Sequence, residues 1–289
     1  MVALVGHDSL LDLYKVLFVG HVLPCVFHSA PRYHAAYYVR YFCVLDLKIR
    51  HSIISVQSVV MGARMVTKTF ETGGKQATLY QSEENNSPLI LLNNYSGEGA
   101  SVIQAMRAMD APDCSLLVVS NLNWNHDMTP WYCPPITEND SPCTGGADDY
   151  LKLLLTRILP ETRSMLHGSP RFIGIAGYSL AGLFALYAMY RCDAFDRVAS
   201  MSGSLWFPEF REYVLTHEME RSPDKLYLSL GDKEAKTRND FLKTVQDNTE
   251  QIVSHYTQLG LDVTWELNPG NHFKDAALRS AKGIKAILM

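Results

Sequence analysis

The chain has 289 residues, of which 47% are hydrophobic and 19% are charged. This is the profile of a globular protein with room for one large domain or two modest ones. The net charge of -4 is spread along the chain without blocks of one sign, which argues against a nucleic-acid partner and favours a small neutral or modestly polar molecule.

Residues 1–60 differ in composition from the rest of the chain. They hold five of the ten histidines, few charges and no persistent helical or strand periodicity. We interpret them as an atypical N-terminal segment, either a lid or accessory element or an over-long start upstream of Met61 or Met65. We favour the over-long start, because everything that the predicted domain, 61–289, needs lies after residue 61. A histidine-rich metal site is disfavoured, because these histidines lack ligand spacing.

The most apolar early stretch, 16–27, is shorter than the roughly 20 residues that span a bilayer. Lys15 is the only lysine or arginine that precedes this stretch, and no clear small-residue cleavage site follows it, so a signal peptide is also a poor fit. The six cysteines are too sparse for a disulfide framework, and there is no Cys-x-x-Cys pair. We predict a soluble, cytoplasmic protein with reduced thiols and no membrane partner. In an exported protein, Cys133 and Cys143, which flank one loop, would be candidates for pairing.

From residue 61 onward, strand and helix patterns alternate. An antiparallel hairpin, 67–70 with 77–81 around Gly73-Gly74, is predicted to open the domain. Apolar runs predict further strands at 89–92, 116–120, 172–176, 198–202, 226–230 and 263–267. Helices are predicted at 100–109, 150–159, 180–191, 241–259 and 275–288.

Strands that alternate with helices predict an α/β fold, with a mostly parallel sheet and helices on both faces. Such a sheet binds its ligands at the carboxyl ends of its strands. Functional side chains are therefore expected in the loops that follow the strands.

The segment Gly177-Tyr178-Ser179-Leu180-Ala181-Gly182 joins a predicted strand to a predicted helix. This is the context of a nucleophile elbow, a tight turn between small residues that lifts a serine clear of the sheet. Ser179 would lie at a helix N-terminus, whose partial positive charge stabilises a developing oxyanion. Ala181 departs from the pattern Gly-x-Ser-x-Gly, so the strand–turn–helix context carries the prediction. Ser202 and Ser204 also follow a strand but lack such an elbow.

A serine nucleophile needs a base, and the base needs an acid that holds its tautomer. In this type of fold the chain order is serine, acid, histidine. His272 follows the last predicted strand, within a Pro/Gly turn, and we predict it to be the base. Two carboxylates, Glu234 and Asp232, follow the strand 226–230. We prefer Glu234 as the acid and keep Asp232 as the alternative.

The oxyanion hole is predicted to use the backbone N–H of Leu180 and one from the loop after Leu92. Tyr95 is the first choice for this second donor, and Ser96 is the next. The following strand-end loop is rich in aromatic residues, and it either lines the substrate pocket or packs on the domain surface. Its candidate pocket residues are Trp124, Asn125, Asp127 and Trp131.

From about residue 66 to its C-terminus, the chain resembles an esterase family of α/β-hydrolases that includes esterase D, feruloyl esterases and siderophore esterases. The resemblance is carried by the four segments 177–182, 202–206 (Ser-Gly-Ser-Leu-Trp), 231–234 (Gly-Asp-Lys-Glu) and 270–273 (Gly-Asn-His-Phe). It implies the α/β-hydrolase fold and ester hydrolysis through an acyl-enzyme, with no metal and no organic cofactor. Some siderophore esterases resemble serine–histidine dyads, which leaves the role of Glu234 open.

The leading prediction is a serine carboxylic ester hydrolase that acts on a small or medium-sized ester. An acyltransferase is the enzymatic alternative, because an alcohol can capture the same acyl-enzyme. A third interpretation is that the chain is a non-catalytic binding module on this scaffold. The intact order of serine, acid and histidine argues against it, because a decayed site usually loses one member.

Overall fold

The computed structural model describes residues 55–56, 65–97 and 99–289. Its strands are β1 (Ser55–Val56), β2 (Val66–Thr72), β3 (Lys75–Gln81), β4 (Leu89–Asn93), β5 (Ser115–Ser120), β6 (Tyr132–Cys133), β7 (Cys143–Thr144), β8 (Ile173–Tyr178), β9 (Arg197–Met201), β10 (Lys225–Gly231) and β11 (Val263–Asn268). Its helices are α1 (Gly99–Ala108), α2 (Trp124–Asp127), α3 (Ala147–Leu153), α4 (Leu159–Met165), α5 (Leu180–Ala188), α6 (Phe210–Thr216), α7 (Val245–Gln258) and α8 (Ala276–Leu288). A π-helical segment (Leu154–Ile158) joins α3 to α4, and a 3₁₀ turn (Leu242–Thr244) precedes α7.

Within the described residues, nine strands form one sheet in the order β1-β2-β3-β5-β4-β8-β9-β10-β11. The six strands from β5 to β11 in this order are parallel to one another, and β1, β2 and β3 form an antiparallel edge. The predicted hairpin is confirmed as β2 and β3. Its two-residue turn places both Gly73 (φ 58°) and Gly74 (φ 74°) in the left-handed region, as a type I′ turn requires.

Separate apolar cores cover the two faces of the sheet. Because successive strand residues point to opposite faces, Leu89 and Leu91 of β4 join one core, while Ile90 and Leu92 join the other. Side chains from α3 to α7 complete the first core, and α1 and α8 complete the second. The predicted α/β-hydrolase architecture, a mostly parallel sheet with helices on both faces, is confirmed.

The strand register brings the functional loops together. Asn93 at the end of β4 is paired with Gly177 in β8, and Gly231 at the end of β10 is paired with Asn268 at the end of β11. Since parallel strands end at the same edge of the sheet, the loops after β4, β8, β9, β10 and β11 converge there.

Several short elements escape the sequence patterns. Helix α2 has four residues and strands β6 and β7 have two each, which is too short for a periodic signal. The predicted helix 150–159 is the middle of a longer helical run that includes the π-helical segment. Helix α6 was not predicted.

The predictions for residues 1–60 fall outside the described residues, except for β1, which pairs antiparallel with β2. Among the helices of the described residues, none is long and apolar enough to cross a membrane. Cys133 and Cys143 lie opposite each other in the β6–β7 ladder, and both have free thiols.

Candidate active site

Ser179 occupies a strained turn between β8 and α5. Its backbone has φ 62° and ψ -126°, a conformation that costs a non-glycine residue on the order of 1–3 kcal/mol. The turn brings Gly177 so close to α5 that a Cβ at this position would lie 2.1 Å from the Ala181 carbonyl oxygen. The tightest crowding therefore falls at position 177, and the methyl group of Ala181 is accommodated in the core.

His272 lies between the nucleophile candidate and a carboxylate. Its Nε2 is 3.0 Å from Ser179 Oγ, and its Nδ1 is 2.7 Å from Glu234 Oε2. The three side chains come from the loops after β8, β10 and β11. Serine, histidine and carboxylate thus form one hydrogen-bonded chain, the arrangement in which a histidine can act as the base for a serine.

The Glu234 carboxylate is buried, with 4% of its side chain exposed. Its Oε1 accepts hydrogen bonds from the Gly231 N–H (2.6 Å) and the Ser202 hydroxyl (2.8 Å). Burial alone raises the pKa of Glu234 and is the largest single influence. The hydrogen bond and charge of His272, with the Gly231 and Ser202 donors, together outweigh it and hold the pKa below its usual 4.5. Glu234 is therefore an anion at neutral pH.

The lowered pKa of Glu234 makes the stability of the fold depend on pH. A carboxyl whose pKa is lower in the folded chain than in the unfolded chain stabilises the fold when it is ionised. This stabilisation is complete at a pH above the pKa of the unfolded chain, and it is lost as the pH falls through the pKa of the folded chain. We expect wild type to melt at a higher temperature than Glu234→Gln at neutral pH, and this gap to narrow as the pH falls below the usual value of 4.5. Calorimetry of both proteins from about pH 7 to about pH 3 measures the gap. A gap that stays constant or widens would contradict the expectation.

Asp232, the alternative acid, is directed elsewhere. Its Oδ1 accepts a hydrogen bond from the Gly270 N–H at 2.7 Å, and this bond is the main reason that its pKa is lowered. Its own N–H donates to the Asn268 carbonyl at 2.8 Å. Asp232 thus ties together the loops after β10 and β11, and the structure brings Glu234 to the imidazole.

The two predicted oxyanion donors lie at the start of α5 and in the loop after β4. Leu180 is the first residue of α5, so its N–H has no acceptor one turn earlier in the helix. Tyr95 lies two residues beyond Asn93, the register partner of Gly177, which places its loop beside the elbow. The Ser96 N–H donates to Asn94 Oδ1 at 3.0 Å, which favours Tyr95 over Ser96 as the donor.

A cavity of about 330 Å³ lies over Ser179, Leu180 and His272. Trp124 and Asn125, two of the predicted pocket residues, line it. Tyr95 packs edge-on against Trp124, with 5.3 Å between the ring centres.

Asp127 and Trp131, the other two predicted pocket residues, do not line this cavity. Asp127 is buried in an ion pair with Lys75 and accepts the Asn123 N–H at 2.7 Å. The Trp131 indole N–H donates to the Pro208 carbonyl at 3.0 Å, and its ring packs among other aromatic side chains. Those rings are Tyr187, Phe207, Phe210 and Tyr213.

Most of the cavity wall was not predicted. It comes from the β6–β7 loop with the first residue of β7, from the segment after β9, from the 3₁₀ turn and the first residue of α7, and from the residue after His272. These residues are Pro134, Ile136, Asp140, Ser141, Cys143, Ser202, Gly203, Ser204, Trp206, Leu242, Val245 and Phe273. The segments 202–206 and 270–273, which carry the family resemblance, contain the wall residues Ser202, Gly203, Ser204, Trp206 and Phe273, and this resemblance is the signal in the sequence that pointed to the wall. Ser204 Oγ lies 3.3 Å from Ser179 Oγ.

Comparison with known proteins assigns the chain to a family. The family model described as "Putative esterase" matches residues 93–268, which is more than half of the chain. The chain therefore belongs to this family of α/β-hydrolases, and its enzyme class is serine esterase.

Individual relatives are distant. The chain is 21% identical over 198 residues to the uncharacterized protein YbbA of Bacillus subtilis, a match that covers 63% of this chain and 78% of that protein. The siderophore hydrolase EstA from Aspergillus nidulans superposes with a TM-score of 0.61 at 18% identity, covering 79% of this chain and 96% of EstA. An IroE-like serine hydrolase from Shewanella oneidensis superposes with a TM-score of 0.62 at 18% identity, covering 77% and 79% of the two chains. At these identities, the two solved structures support the fold.

Proposed function

We propose that the protein is a carboxylic ester hydrolase that works through an acyl-enzyme on Ser179. The observation that carries this proposal is the position of His272, whose two ring nitrogens lie within hydrogen-bonding distance of Ser179 Oγ (3.0 Å) and Glu234 Oε2 (2.7 Å). In this arrangement the serine has its base in place, and the base has its orienting carboxylate.

In the first half-reaction, Ser179 Oγ attacks the ester carbonyl carbon while its proton passes to His272 Nε2. The Glu234 carboxylate accepts the Nδ1–H and stabilises the imidazolium. The carbonyl oxygen, now negative, accepts hydrogen bonds from the N–H groups of Leu180 and Tyr95. The tetrahedral intermediate collapses, the bond to the alcohol oxygen breaks, and His272 gives that oxygen its proton.

In the second half-reaction, water replaces the alcohol. His272 Nε2 takes a proton from the water as it attacks the acyl carbon, and the same two N–H groups stabilise the new oxyanion. Collapse breaks the bond to Ser179 Oγ, which regains a proton from His272, and the carboxylic acid leaves.

The cavity favours a small or medium-sized neutral ester. Its volume of about 330 Å³ falls at the lower end of the range for small-molecule pockets. Among the described residues that line it, the carboxylates are Asp140 and Glu234, and there is no lysine or arginine. Such a lining offers no cation to bind an anionic substrate.

We extend the proposal to the location of the enzyme, which we place in the cytoplasm. The thiols of the four described cysteines, Cys114, Cys133, Cys143 and Cys192, are free. Free thiols are typical of a reducing compartment.

The proposal is tested by mixing the protein with p-nitrophenyl acetate and measuring p-nitrophenol release and the intact mass after an acid quench. We expect turnover above the buffer rate and a gain of one acetyl group, which peptide mapping places on Ser179. If neither turnover nor acetylation is observed, the proposal is overturned, and a non-catalytic binding module becomes the remaining interpretation. Acetylation of Ser204 instead would contradict the assignment of the nucleophile. If added alcohols yield new esters faster than water yields acetate, the enzyme is an acyltransferase.

A further inference from the structure

A buried arginine lies behind the candidate catalytic residues. Arg279, in the first turn of α8, is 1% exposed. A guanidinium keeps its charge at any ordinary pH, and its burial is costly unless anions and carbonyl groups compensate it. Arg279 was not predicted, although it shares one face of α8 with Gly283 and Ile287 and is therefore in phase with the buried side of that helix.

The guanidinium contacts the structures that carry the candidate catalytic groups. Its Nη1 donates to Glu234 Oε1 (3.1 Å) and to the Ser202 hydroxyl (3.1 Å), and its Nη2 donates to the Pro269 carbonyl (3.1 Å) in the loop that leads to His272.

Arg279 also reaches the His272 loop through Tyr178. Its Nη1 lies 3.3 Å from the Tyr178 hydroxyl, which donates to the His272 carbonyl at 2.6 Å. Tyr178 is the residue immediately before Ser179, so one guanidinium links the elbow, the acid and the histidine loop.

The two oxygens of Glu234 divide their partners. Oε1 accepts from Arg279, Ser202 and Gly231, while Oε2 faces His272 Nδ1. Occupation of Oε1 fixes the plane of the carboxylate and leaves Oε2 as the oxygen that meets the imidazole. Arg279 itself does not line the cavity.

On the basis of the proposed esterase function, we infer that Arg279 is a positioning residue. It affects the reaction by fixing the positions of the Glu234 carboxylate and the His272 loop relative to each other. Groups that orient a metal ligand by a comparable hydrogen bond cost about 10- to 100-fold in activity when they are removed, and we expect a loss of the same order for Arg279. The loss should fall on kcat, because the substrate does not touch Arg279.

The test is a double-mutant cycle between Arg279→Met and Glu234→Gln, measured with p-nitrophenyl acetate. In the wild-type background, we expect Arg279→Met to lower kcat by about 10- to 100-fold and to change KM by less than about threefold. In the Glu234→Gln background, where Oε2 is already lost as an acceptor, the same change should cost less than about threefold. The matched control is Lys285→Met. Lys285 is a basic residue of the same helix that donates to the Met109 carbonyl, and its substitution should keep kcat within about twofold of wild type.

A purely structural role of Arg279 makes a different prediction. It lowers the fraction of active molecules equally in both backgrounds, and titration of Ser179 with an organophosphonate counts that fraction. Equal losses in both backgrounds, or a kcat for Arg279→Met within threefold of wild type, would overturn the inference.

Arg279→Lys keeps the buried charge but loses the planar fork, and it enters the same cycle so that a misfolded methionine variant does not stop the test. An inactive wild type would instead overturn the proposed function, and this inference with it.

Discussion

Replacing Ser179 by alanine is expected to lower kcat/KM for p-nitrophenyl acetate by about 10⁴- to 10⁶-fold. The substitution removes the hydroxyl that His272 Nε2 faces at 3.0 Å, so no acyl-enzyme can form. The residual rate comes from binding and from the oxyanion donors. Parallel steady-state assays of the two proteins, purified by the same procedure, measure the ratio.

The fold of Ser179→Ala should survive the substitution. Serine already adopts φ 62° at this position, and alanine brings the same Cβ into the same strained turn. Ser254→Ala, an exposed serine on α7, is the matched control, for which we expect wild-type kcat/KM and thermal midpoint. If Ser179→Ala keeps more than about a tenth of the wild-type rate, the nucleophile lies elsewhere.

The second large effect is expected at Glu234. Glu234→Gln should lower kcat by about 10²- to 10⁴-fold, because an amide cannot accept the Nδ1–H of His272 in the same way and cannot stabilise the imidazolium by charge. The shape of the side chain is kept, and so are the Oε1 contacts with Gly231 and Ser202. Steady-state kcat and KM values for the variant and wild type measure this effect.

Asp232→Asn is the matched isosteric control, because the Asp232 carboxylate accepts from Gly270 and not from the imidazole. We expect it to change kcat by less than about fivefold. If Asp232→Asn lowered kcat more than Glu234→Gln does, Asp232 would be the acid. A loss of less than about tenfold in both would indicate a serine–histidine dyad, in which neither carboxylate is required.

The fold was largely predictable because its signals are local. The buried strands β4 and β5 are short apolar runs, helices α7 and α8 have a repeating apolar face, and Gly73-Gly74 marks the hairpin turn. The unpredicted elements are held by contacts that are distant in sequence. Trp131, for example, donates its indole N–H to Pro208, which lies 77 residues away, and no window around Trp131 contains that information.

The candidate site was predictable to the extent that it depends on strand ends and chain order. Ser179, Glu234 and His272 each follow a strand, and the order of residue types suits the reaction. A sequence alone could not orient the two neighbouring carboxylates, since Glu234 and Asp232 differ by hydrogen bonds to different loops. The cavity wall was also out of reach, because it depends on how the β6–β7 loop folds over the strand ends.

The arrangement of the site over several loops has a consequence for the whole molecule. Ser179 and His272 are 93 residues apart, and β9, β10 and β11 lie between them, so the pair meets only when these three strands are in place beside β8. No shorter excised segment that lacks β11 can present the serine beside its base. A covalent label that requires His272 to activate Ser179 therefore reports the molecules in which the loops after β8 and β11 have come together.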